Sequence, residues 1–177
     1  MVITPEQLAQ IHYQGEPQRT VILVIGESLT RHNMSLYGYP RQTTPLLDKQ
    51  KSDLLIFNDV ISGGYVTASA IPKLLTAADI QHPEAWENSP SILMQAKAAG
   101  YKTYWLSNQL TFDGVISSLS HQADVQKFDN YGNDIAEGAF DNVLFPDIQQ
   151  ALQDEAHKKF IVIYLLGSHM YHDLRYH

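Results

Sequence analysis

Four segments of the chain are dominated by apolar, β-branched or aromatic positions, and amphipathic or polar stretches separate them. TVILVIG (Thr20–Gly26) and KFIVIYLLG (Lys159–Gly167) are nearly continuous apolar runs, the pattern of parallel strands covered on both faces. LLIFNDV (Leu54–Val60) and YKTYWLS (Tyr101–Ser107) read as two further strands. Between them the period changes to that of helices. Thr44 before Pro45 predicts a cap and a helix over Pro45–Lys51. Ala68–Ala78 is helix-like, with Pro72 inside it. Ser89 and Pro90 repeat the cap signal; Ile92, Leu93, Ala96 and Ala99 follow at helical spacing, and Gly100 supplies the stop. Phe140, Val143, Leu144, Ile148, Ala151 and Leu152 share one helical face, with a kink expected at Pro146.

Strands alternating with helices predict an α/β fold: a mostly parallel sheet with helices on both faces. Residues 1–19 are polar and read as a lead-in; residues 20–177 carry the domain. The last strand looks central, yet no covering helix follows it, so the expected domain is incomplete at its C-terminus. A small complete domain with an edge strand is the alternative, and an edge that apolar would invite aggregation.

Composition narrows the function classes. The formal net charge of −7, with no cluster of Lys or Arg, argues against a nucleic-acid binder. The absence of cysteine excludes disulfides, thiol catalysis and cysteine-zinc sites, and leaves the compartment open. No apolar run has the length of a membrane-spanning helix.

In parallel sheets the site lies at the carboxyl ends of the strands. Those ends read GES, SGGYVT, SNQ and GSH. Glu27 is a metal-binding carboxylate or an ordinary loop acid. Thr67, after Gly63 and Gly64, is a helix N-cap or a nucleophile presented where unpaired helix N–H groups hold phosphate; as a nucleophile it needs a base or a metal. Asn108 and Gln109 are turn residues or donors to substrate oxygens. His169, followed by His172 and His177, is a candidate metal ligand or phosphate donor, although the spacing is not a standard zinc pattern.

The stretch VIGESLTRHNMSLYGYPRQTTPLLD (Val24–Asp48), with AAGYKTYWLSNQ (Ala98–Gln109) and YLLGSHMYHDLRYH (Tyr164–His177) in the same order, resembles the phosphoethanolamine transferases of Gram-negative bacteria. The likeness runs over almost the whole chain from Thr20 onward, and is nearest to the branch that modifies the lipopolysaccharide inner core. It implies a sulfatase/alkaline-phosphatase-like catalytic domain on the periplasmic side of the inner membrane, anchored through segments absent from this chain. It implies transfer of phosphoethanolamine from phosphatidylethanolamine to lipopolysaccharide through a covalent intermediate on Thr67. Glu27 and Thr67 match zinc-binding positions; Asn108, Gln109 and His169 match substrate-facing ones. Three departures bear on this. The cysteine pair that brackets the nucleophile in many relatives is absent. Asp113 stands where some relatives have a lysine. The family's Asp-His zinc pair has no counterpart here, so zinc is expected to be held weakly or not at all, and the isolated chain to turn over little. The other readings are a sulfatase- or phosphodiesterase-like hydrolase and a catalytically dead binding domain of the same fold.

Overall fold

A computed structural model describes residues 15–16, 18–109, 114–130 and 140–170. Strands β1 (Arg19–Ile25), β2 (Lys102–Ser107), β3 (Val125–Phe128) and β4 (Lys158–Tyr164) form one sheet in the order β1-β4-β2-β3. Every pairing is parallel. The register sets Ile25 beside Tyr164 and Ser107 beside Tyr164, so three strand tips end level with one another.

The helices are α1 (Pro45–Lys49), α2 (Thr67–Leu75), α3 (Ile92–Ala98), α4 (Val115–Ser120) and α5 (Phe145–Gln153). Strand alternation sends β4 side chains to two cores. Phe160, Val162 and Tyr164 pack with Trp105, Ile71, Leu75, Leu93 and Leu119, joining the sheet to α2, α3 and α4. Ile161 and Ile163 pack with Tyr104, Leu106, Leu144 and Ala151 on the opposite face, beneath α5. The two-faced α/β architecture is therefore present. β4 is an interior strand, paired on one side to β1 and on the other to β2.

Several local expectations need correction. Leu54–Val60 is not a strand: it pairs with nothing in the sheet, and Leu55 is 90% exposed and Phe57 69%. Asn58 and Asp59, both poor strand formers, interrupt the apolar run. The two elements that the pattern missed are β3 and α4. Thr44 does not cap α1 with its hydroxyl. That hydroxyl accepts from the Leu36 N–H at 3.0 Å, while Ser35 Oγ donates to Asp48 at 2.6 Å. The residues of the SLYGYPRQTTP segment thus tie its two ends together. The cap of α3 is Ser91, whose Oγ accepts from Met94 N at 3.2 Å; Ser89 instead donates to the Ala85 carbonyl. Pro146 lies in the first turn of α5, where its missing N–H costs nothing, and so starts the helix in place of a kink. Gly100 ends α3 as expected, with φ +82° and its N–H on the Lys97 carbonyl at 2.9 Å.

Candidate active site

The segment before α2 is built so that a helix can start close to the tip of β1. A Cβ on Gly64 would lie 2.2 Å from Ser69 Oγ and 2.8–2.9 Å from the backbone of Ser69 and Ala70, so only glycine allows the loop to pass this close to the first turn of the helix. Ser62 Oγ donates to the Gly64 carbonyl at 2.6 Å, and Ser69 Oγ to the Val66 carbonyl at 3.0 Å. The small and hydroxylated residues of SGGYVTAS therefore fold the loop back on itself. Thr67 opens the helix, and Val66 provides no side-chain cap.

The Thr67 hydroxyl donates to Glu27 Oε1 at 3.0 Å, across 40 residues of sequence. Ser28 Oγ donates to the other carboxylate oxygen at 2.7 Å. Both Glu27 and Thr67 are half-buried. The sequence singled out this pair, and the fold brings it together, although the loop bearing Thr67 does not follow a strand.

Tyr164 is a neighbour that the sequence reading missed. Its side chain is 1% exposed, and its ring packs edge-on against Trp105, with centroids 5.7 Å apart. Burial, and then the negative charge of Glu27, push the phenol above its ordinary pKa. The hydroxyl therefore stays protonated beside the Glu27–Thr67 pair, and it makes no hydrogen bond among the described residues. Only its position at the end of an apolar strand hinted at this role in the sequence.

Asn108 and Gln109 are placed otherwise than as open substrate donors. Asn108 is fully buried, and its Nδ2 donates to Asp141 Oδ1 at 3.0 Å. Gln109 Nε2 donates to the Leu165 carbonyl at 2.7 Å. Gln109 binds the tip of β2 directly to the loop after β4, and Asn108 does so through Asp141. Asp141, which the sequence reading also passed over, is the centre of that clamp: it accepts in addition from Leu166 N at 2.8 Å and Gly167 N at 2.9 Å. His169 stands in the same loop, with its N–H on the Leu166 carbonyl at 3.0 Å and its ring Nδ1 without a partner among the described residues. His172, His177 and Asp113 lie outside the described residues.

Glu27 and Thr67 are two oxygen donors, whereas a catalytic zinc takes about three protein ligands. Among the described residues no cluster of three His, Cys, Asp or Glu side chains is placed to hold a metal. These residues do not by themselves make a closed zinc site.

Residues 19–177 match the family described as Sulfatase. The chain belongs to the sulfatase family. Within it, the chain is similar to proteins named as phosphoethanolamine transferases: 38% identical over 170 residues to CptA of Salmonella typhimurium, and 38% identical over 168 residues to EptC of Escherichia coli K12. Those alignments cover 93% and 92% of this chain but 30% and 29% of the relatives, so the chain spans under a third of their length. Among solved structures it is similar to the C-terminal periplasmic domain of EptC from Escherichia coli in complex with Zn, at 37% identity and a TM-score of 0.86, covering 92% of this chain and 47% of that one. It is also similar to the integral membrane protein phosphoethanolamine transferase A of Neisseria meningitidis, at 25% identity and a TM-score of 0.76, covering 92% of this chain and 31% of that one. No helix among the described residues is long and apolar enough to cross a membrane.

Proposed function

We propose that this chain carries the nucleophile of a phosphoethanolamine transferase, with Thr67 taking the group from phosphatidylethanolamine and passing it to lipopolysaccharide on the periplasmic face of the inner membrane. The observation that carries this reading is the 3.0 Å hydrogen bond from the Thr67 hydroxyl to Glu27, made at the first residue of a helix. The carboxylate accepts the hydroxyl proton in the geometry that activates a weak nucleophile. Thr67 Oγ1 then forms a bond to phosphorus, and the bond to the diacylglycerol oxygen breaks, that oxygen taking up a proton. In the second half an acceptor hydroxyl forms the new bond to phosphorus, the bond from phosphorus to Thr67 Oγ1 breaks, and the acceptor's proton passes by way of Glu27 to Thr67, which recovers its hydroxyl. The open N–H groups of the first turn of α2 favour the negative charge that develops on the phosphoryl oxygens. The protonated Tyr164 hydroxyl is a further neutral donor at the same place.

Zinc enters as a cofactor that Glu27 and Thr67 would hold in part; when bound it would lower the pKa of the threonine hydroxyl. The remaining ligands are not among the described residues, so this chain alone is expected to hold zinc weakly and to turn over little. The relatives named as transferases support group transfer over a sulfatase-like hydrolysis.

The test is a chimera in which this chain replaces the matching segment of Escherichia coli EptC. Mass spectrometry should find phosphoethanolamine on the peptide containing Thr67, and Thr67→Ala should abolish both the adduct and the transfer. An adduct on another residue, or transfer unchanged by Thr67→Ala, would overturn the assignment. Glu27→Ala should lower the zinc content of the same chimera; equal zinc by elemental analysis removes Glu27 from the metal's ligands.

A further inference from the structure

Arg31 is a cation that the reading of Thr67 leaves unused. It opens the short 3-10 turn Arg31–Asn33, four residues beyond Glu27. Four residues span at most about 14 Å, so its Cα stays within that distance of the Glu27 Cα. Arg31 lines a cleft of about 470 Å³ together with His32, Tyr37, Tyr39 and Asn58. Its Nη1 is shielded from solvent and has no hydrogen-bond partner among the described residues. No carboxylate among the described residues lies within ion-pair distance of it.

That isolation is not for want of carboxylates. The chain has 19 acidic residues against 12 Lys and Arg. Lys97 and Lys102 both find aspartates, at 2.8 and 2.5 Å. A shielded guanidinium nitrogen without a partner leaves a charge-assisted hydrogen bond unmade. The cleft around it offers a guanidinium, an imidazole, two phenols and an amide, all able to donate, and no carboxylate. Such a set suits a tetrahedral oxyanion, and the planar fork of arginine suits phosphate in particular.

We propose that this cleft binds a phosphate ester, with Arg31 as the anchoring cation. The inference rests on the transferase reading for its meaning: such a group is either the phosphodiester headgroup of the donor or a phosphate monoester on a sugar of the acceptor.

The chain itself is titrated with O-phosphoethanolamine, glucose 1-phosphate and ethanolamine, and followed by amide NMR. Phosphate monoesters should shift the amides from Arg31 to Tyr39 and that of Asn58; ethanolamine should not. Arg31→Gln should weaken binding about tenfold or more, and Arg31→Lys, which keeps the charge without the fork, should fall between. Tighter binding of the sugar phosphate assigns the cleft to the acceptor, and tighter binding of phosphoethanolamine to the donor. No shift at these residues with either ester, or equal affinity in Arg31→Gln, overturns the proposal. Phosphate binding without an adduct on Thr67 refutes the nucleophile alone; an adduct without phosphate binding at Arg31 refutes the cleft alone.

Discussion

Replacing Asp141 by alanine should cost more stability than its half-exposed position suggests. The carboxylate makes three hydrogen bonds: Oδ1 accepts from Asn108 Nδ2 and Leu166 N, and Oδ2 accepts from Gly167 N. Asn108 is 0% exposed and Leu166 1%. A buried donor left without a partner costs about 1–3 kcal/mol, so the two Oδ1 bonds together are worth about 2–6 kcal/mol. Gly167 is half-buried, and water can replace much of its bond. A loss of this size is a large share of the roughly 5–15 kcal/mol that holds a domain folded. Asp141→Asn separates the terms. Its carbonyl oxygen can keep both Oδ1 bonds, while its NH2 group meets the Gly167 N–H donor to donor, for a cost of about 1–2 kcal/mol. Urea denaturation followed by far-UV circular dichroism measures both variants, with the comparison taken at unchanged m-value. Hydrogen exchange at Leu166 and Gly167 should rise in the alanine variant. Equal losses in the two variants, or a loss below about 0.5 kcal/mol in Asp141→Ala, would show that the clamp does not hold these strand tips together.

Other outcomes follow from single features. Gly64→Ala should destabilise the chain by about 1–3 kcal/mol, because the new Cβ meets the backbone of Ser69 and Ala70; in denaturation, a neutral result means that the loop does not sit against α2. The Asp154 carboxyl, held down to about 2 chiefly by the hydrogen bond from Lys102, should return toward the model-peptide value in Lys102→Met when followed by carbonyl NMR. A depressed carboxyl stabilises the fold above its unfolded pKa and loses that effect as pH falls through the folded one, so the benefit of Lys102 should vanish in strong acid. Asp129 behaves oppositely: burial, and then the facing Asp147, raise its pKa. Its folded form holds a proton more tightly than the unfolded chain does, so it weakens the fold as pH rises through that interval. Asp129→Asn should therefore raise the thermal midpoint at neutral pH and not below pH ~3; a gain that is the same at both pH values would exclude the carboxyl as its source.

The parallel sheet was legible in the sequence wherever burial on both faces left a continuous apolar run, as in β4. It was misread where an apolar run lacks a partner. Leu54–Val60 has the composition of a strand, but composition cannot say whether a neighbouring edge is available, and the sheet is made without it. β3 was invisible for the opposite reason: VQKF is four residues long, mixes polar and apolar positions and lies at a sheet edge. Helix boundaries went astray where a hydroxyl had a choice. Thr44 and Ser89 both looked like caps, and both spend their side chains on other segments. At the site, Glu27 and Thr67 could be found because each sits at an element end with chemistry of its own. Asp141 and Tyr164 could not, because their roles depend on contacts with Asn108, Leu166, Glu27 and Thr67 that only the fold creates.

The same contrast bears on how the site works. Asn108 and Gln109 read in the sequence as substrate donors, yet the Asn108 amide already holds Asp141 and the Gln109 amide the loop after β4. Binding a substrate with them would break bonds made by fully buried or half-buried groups, at a cost the substrate would have to repay. The Glu27–Thr67 pair has no such conflict. Its single internal bond is the one that a reaction at Thr67 would use. Arg31 and Tyr164 also have polar atoms to spare among the described residues. Substrate recognition is therefore better sought on the β1 side, around Glu27 and the turn that follows it, than at the tip of β2. If so, Gln109→Leu should lower stability more than it lowers transfer in the EptC chimera, measured at saturating donor. A chimera that keeps its stability and loses its transfer would return Gln109 to the substrate.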